Sequence, residues 1–145
     1  MANRDNPYKG RRFEDAARNY FNQRGLRLER IFPIDVGVNN IRKPHRFDLG
    51  SSRPPILVEC KAHTWTAGGN APSAKLSVWN EAMYYFHAAP SEYRKIFFVL
   101  KSVRTGITLA EHYIGRFEHL IPEGVEIWEF DPNTDDAACI YEGKT

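Results

Sequence analysis

Five consecutive apolar residues, Ile96-Phe97-Phe98-Val99-Leu100, constrain the fold of this chain more than any other stretch. A strand with one wet face alternates apolar and polar side chains, whereas a strand covered on both faces need not. The run therefore predicts a central strand with a packed layer on each side. Helical patterns before and after it supply those layers. Asn6 is placed to cap a helix with Pro7 in its first position, and Gly25 to end it. Along that segment Phe13, Ala16, Ala17, Tyr20 and Phe21 recur at helical spacing. Ser73 is placed to cap a second helix over residues 74–88, with Leu76, Trp79, Met83 and Phe86 as its apolar stripe. Thr108 and Glu111 form a capping box opening a third helix, with Leu109, Tyr113, Phe117 and Leu120 as its stripe and Pro122 and Gly124 at its end.

Strands occupy the intervals. Leu28 to Val38 alternates and contains Pro33, which confines it to an edge or a bulge. Asn39-Asn40 marks a turn, a strand around Asp48 follows, and Gly50 to Pro55 reads as a hairpin loop. Residues 56–61, 95–101 and 125–130 read as further strands, and the polar stretch from Asp131 onward as a loop with a short extension. The order is helix, three strands, helix, strand, helix, strand. That is an α/β arrangement with a mixed sheet, expected to form one domain over residues 1–145.

The strand Ile56-Leu57-Val58-Glu59-Cys60-Lys61 is apolar enough to be buried, yet it carries a carboxylate and an ammonium. Side chains two apart share a strand face, so Glu59 and Lys61 lie with Leu57 and His63, and Ile56, Val58, Cys60 and Ala62 take the other face. Asp48 sits on the preceding strand between Phe47 and Leu49, both expected to point away from it. Hairpin pairing brings Asp48 toward Glu59. Two carboxylates and a lysine on a half-buried sheet are costly unless they bind something. A divalent cation satisfies the carboxylates, and a phosphodiester satisfies the cation and the lysine. The alternative is structural: Glu59 and Lys61 pair with each other, and Asp48 is a strand-end residue.

Asp48 and Glu59-Cys60-Lys61 resemble the motif of the PD-(D/E)xK nucleases, the superfamily of restriction endonucleases and Holliday-junction resolvases. Phe47 stands where the family's namesake has proline, a residue often absent at that place in the superfamily. The resemblance spans about the first two thirds of the chain. It implies a restriction-endonuclease-like αβββαβ core with a mixed sheet flanked by helices, here followed by a C-terminal helix and strand. It also implies a nuclease that hydrolyses DNA, or RNA, with Mg²⁺ or Mn²⁺. Asp48 and Glu59 would ligate the ion, with the Cys60 carbonyl and Glu14 of the first helix as further ligands. The competing role for Glu14 is an ion pair with Arg18, one turn on. Lys61 would stabilise the transition state and orient the attacking water. Lys75 and Asn80 on the second helix are candidates for nucleic-acid contact, and each is equally explained as a solvated helix residue. Trp65, in the small-residue loop after the strand, either stacks on a base or packs the loop down.

Charge and cysteine content narrow the class further. The net charge is only +2, but residues 1–104 hold 18 Lys/Arg against 9 Asp/Glu, and residues 105–145 hold 2 against 9. The basic portion, including Arg42, Lys43, Arg46 and Arg53, suits a phosphate-tracking surface or a plainly solvated one. Cys60 and Cys139 lack metal-ligand spacing, no segment is apolar and long enough to span a membrane, and no signal sequence is expected; a reduced, cytoplasmic protein is the expectation. Zinc, a P-loop and a Ser/His/Asp triad all lack their spacings. One site per chain cuts one strand, so cleavage of both strands of a duplex would require a homodimer. The remaining alternative is a nucleic-acid-binding module on the same fold with weak or no catalysis.

Overall fold

The computed structural model describes Tyr8 and residues 11–143, so the expected helix start at Asn6 and Pro7 lies outside the described residues. Helix α1 (Arg11–Asn22) leads into β1 (Glu29–Val36), β2 (Lys43–Ser52) and β3 (Pro55–Lys61). Helix α2 (Ser73–Ala88) and β4 (Arg94–Leu100) follow. A small hairpin of β5 (Val103–Arg104) and β6 (Ile107–Thr108) precedes α3 (Leu109–Phe117), a 3₁₀ turn (Glu118–Leu120), β7 (Val125–Asp131) and β8 (Asp136–Glu142). The general order matches the αβββαβ expectation with its C-terminal addition. No helix among the described residues is long and apolar enough to cross a membrane.

Six strands form one mixed sheet in the order β1-β2-β3-β4-β7-β8. β1, β2 and β3 pair antiparallel, β3, β4 and β7 parallel, and β8 returns antiparallel on β7. The connections β3-α2-β4 and β4-α3-β7 advance across the sheet in one direction, and such crossovers keep one hand, so α2 and α3 share a face. Buried side chains confirm the division. Phe97, Val99, Leu57 and Ile127 pack with Trp79, Phe86, Leu109 and Tyr113 on the α2–α3 face. Ile96, Phe98, Val58 and Cys60 pack with Phe13, Ala17 and Phe21 of α1 on the other. β4 is thus buried on both sides, as its unbroken apolar run requires.

Of the local expectations, the edge position of Pro33 and the Thr108–Glu111 capping box hold, and several others need correction. β2 and β3 run through most of the expected Gly50–Pro55 loop, leaving Arg53 and Pro54 between the strands. Gly50 is buried within β2, and glycine fits there because a Cβ would fall 2.5 Å from the Phe32 ring of β1. Pro33 lies within edge strand β1, and the backbone irregularity is at Ile31, with φ 54°. Ser73 begins α2 without capping it; Pro72 precedes it and no side chain closes that end. The Thr108–Glu111 capping box forms in full. α3 ends at Phe117, so Leu120 falls in the 3₁₀ turn and is exposed. The stretch from Asp131, expected as a loop, turns and adds strand β8. That strand is exposed along most of its length, so it carries little of the apolar periodicity that marks a strand in a sequence.

Candidate functional site

The β2–β3 ladder holds from Ser52/Pro55 to Leu49/Val58 and then stops. Phe47 packs in the α2–α3 core, while Leu49, two residues on, packs in the α1 core. The expectation that both point away from Asp48 on one face is therefore wrong. β2 changes phase at Asp48, opposite the positive-φ residue Ile31 of β1. Asp48 Oδ2 accepts a hydrogen bond from the Cys60 backbone N–H at 2.8 Å. The Asp48 N–H donates to Glu59 Oε1 at 3.1 Å. Strand N–H groups lie in the sheet plane. The two carboxylates thus take over the ladder where the strands part, and Asp48 is brought directly against Glu59.

Glu59 is buried, 7% exposed, and Lys61, two residues further on, is half-buried. Burial first, and the Asp48 charge second, push the Glu59 carboxyl up to about 8. Asp48 is raised by burial, against the opposing pull of the Cys60 N–H and Lys61. Lys61 draws both carboxyls toward ionisation, but desolvation outweighs it. Glu14 comes from α1 to face Asp48; burial and the Asp48 charge raise it, and its hydrogen bond with Asp48 favours the proton on Glu14. Its cationic partner is Arg30, at 3.2 Å, which also holds Asp15 at 2.7 Å. The expected Glu14–Arg18 pair is not formed: Arg18 Nε donates to the Leu28 carbonyl instead. Arg30 was not identifiable from spacing, because it lies 16 positions from Glu14 and meets it only through the fold.

The other candidates are spread around this corner. His45, three residues before Asp48, stacks on Tyr85 of α2 with ring centroids 3.7 Å apart and its Nε2 buried without a partner. Burial lowers its pKa against the raising effect of Asp48 and Glu81. Arg46 and Lys75 are exposed. Trp65 is held down by its backbone N–H to Ser102 Oγ and its indole N–H to the Ser102 carbonyl, with Arg104 over its ring at 5.7 Å. Asn80 accepts from the Tyr113 hydroxyl at 2.7 Å and borders a groove with Tyr84, His87 and His119, not the Asp48 corner. Cys60 contributes its backbone here, and burial pushes its thiol well above the ordinary range.

Among the described residues no group of three or more His, Cys, Asp or Glu side chains is disposed to hold a metal ion. The physical reason is visible in the bonds: Asp48 and Glu59 each give an oxygen to a backbone N–H, and Glu14 is engaged by Arg30. The donors present are hard oxygens, which fit Mg²⁺ or Mn²⁺ rather than a soft metal. Comparison with protein-family models, with curated proteins and with solved structures finds no match to this chain.

Proposed function

We propose that this chain is a nucleic-acid-binding α/β domain of the PD-(D/E)xK kind, in which the Asp48–Glu59–Lys61 corner receives a backbone phosphate and a divalent cation. The observation that carries the reading is the approach of Asp48 to Glu59 across the parted strands, beside Lys61. Carboxyl groups driven up in pKa by burial, and at Glu59 also by the Asp48 charge, gain from a cation, and the cation and lysine together match a phosphodiester. Exposed Arg11, Arg12, Lys43, Arg46 and Lys75 support a surface that follows a polyanion.

The finer reading adds hydrolysis. Mg²⁺ is commonly held by one or two carboxylates, completed by water and substrate phosphate. Asp48, Glu59 and the Cys60 carbonyl would hold it, with Glu14 acting through water. The bound ion would supply Lewis-acid activation of the phosphate and a more acidic water. Lys61 would orient the attacking water and offset the charge that develops on the phosphate oxygens. Glu59 must lose its proton for this to happen, so cation binding releases a proton near neutral pH. Binding without cleavage is the reading favoured by the lack of a three-ligand group among the described residues.

The test is incubation with Mg²⁺ or Mn²⁺ and plasmid, branched and single-stranded substrates, beside thermal unfolding. Cleavage by the wild type that disappears in Lys61→Ala supports hydrolysis. Binding without cleavage leaves the binding module. No binding, and no rise in Tm with either cation, removes both; a rise lost in Asp48→Ala places the cation at this corner.

A further inference from the structure

His63 follows β3 by two residues and is half-buried. Its Nδ1 accepts a hydrogen bond from Trp79 Nε1 at 2.8 Å. An indole N–H is only a donor, so Nδ1 carries no proton, and the single proton of the neutral ring sits on Nε2. Protonating Nδ1 would break that bond and strand the N–H of Trp79, a fully buried residue of α2. The charges acting on His63 reinforce this state. Lys61 on β3 and Lys75 in the first turn of α2 are both cationic, and with burial as the larger cause they lower the imidazole to about 4. The ring is a neutral N–H donor just past the end of the strand that carries Glu59 and Lys61, and the helix turn before its partner Trp79 carries Lys75. Three donors with no acceptor among them suit an oxyanion and repel a cation.

We infer that His63 Nε2–H, with Lys61 and Lys75, binds a second backbone phosphate of the nucleic acid, adjoining the one received at the Asp48–Glu59 corner. The identity of the polymer rests on the proposed function; the anion site itself rests on His63, Trp79 and the two lysines. Trp79 is a positioning residue, acting through the tautomer it imposes. A neutral donor keeps this contact constant across physiological pH, where a free histidine would change charge.

The decisive measurement is long-range ¹H–¹⁵N NMR of the full chain labelled at histidine. The expected pattern for His63 is the Nε2–H tautomer, unchanged from pH 5 to pH 8. Inorganic phosphate and, separately, a short single-stranded oligonucleotide without divalent ions should each shift its Nε2 resonance. His63→Phe should weaken oligonucleotide binding about tenfold, and His63→Gln, which keeps an N–H, should lose less. Trp79→Phe removes the donor that fixes the tautomer, so the Nδ1–H form of His63 should appear beside Nε2–H and oligonucleotide binding should weaken toward that of His63→Phe. An Nδ1–H tautomer, or a His63 signal indifferent to both ligands, overturns the inference. Phosphate moving His63 while the oligonucleotide fails to bind would keep the anion site and remove the nucleic-acid reading. Oligonucleotide binding that leaves His63 unmoved would do the reverse.

Discussion

Glu59→Gln takes one charge out of the Asp48 corner while keeping an oxygen to accept the Asp48 N–H. In the folded chain Glu59 holds its proton up to about pH 8, against 4.5 for a free side chain. The folded state therefore binds this proton more tightly than the unfolded state. Its stabilising effect is complete below about pH 4.5 and is lost as pH rises through about 8. At 1.36 kcal/mol per unit, and with the titration shared between Glu59 and Asp48, the loss is roughly 3–5 kcal/mol. For a chain of this length that is about 10 °C in Tm. The assay is thermal unfolding of both proteins from pH 5 to pH 9 without divalent ions. The two should melt together at pH 5, and Glu59→Gln should melt about 10 °C higher at pH 8.5. Taking the difference cancels most of the titration of Glu14, His45 and His63, which both proteins share. Mg²⁺ added at pH 8.5 should stabilise the wild type and leave Glu59→Gln nearly unmoved. Parallel melting curves across the whole range would refute the reasoning, because they would mean that water already solvates the Glu59 charge.

Two further outcomes test the packing that holds the corner. Phe98→Ala removes a ring that contacts Phe13, Tyr20, Phe21 and Phe130, and should cost about 3–5 kcal/mol in denaturant unfolding with the slope unchanged. Gly50→Ala drives a methyl group into the Phe32 ring, and should cost about 1–3 kcal/mol, a loss that Phe32→Ala in the same chain partly relieves.

The central strands were legible in the sequence because their signal is local. Ile96 to Leu100 had no polar residue to place in water, and the structure covers both sides of it. Thr108 and Glu111 fixed a helix start through bonds between neighbours. The meeting of Asp48 and Glu59 was legible because an antiparallel hairpin leaves few registers. What stayed hidden depends on distant pairing. The turn of Asp48 into the sheet plane accompanies an irregularity at Ile31, on a different strand. Arg30 reaches Glu14 only after β1 docks beside α1. The β5–β6 hairpin has two residues per strand, too few to show any period. β8 lies at a sheet edge where its side chains stay wet, and its run from Ala137 to Tyr141 shows no alternation, so no strand period marked it between the polar residues on either side.

The change of phase in β2 ties the Asp48 carboxylate to two separate interiors at once. Phe47 anchors it from one layer and Leu49 from the other, and neither touches the chemistry. Close-packed interiors transmit small displacements instead of absorbing them. A volume change deep in either layer, at Phe86 or at Phe21, would therefore arrive at the carboxylate as a tilt. The gap between the strands is adjustable from below, by residues that no inspection of the charged groups would single out.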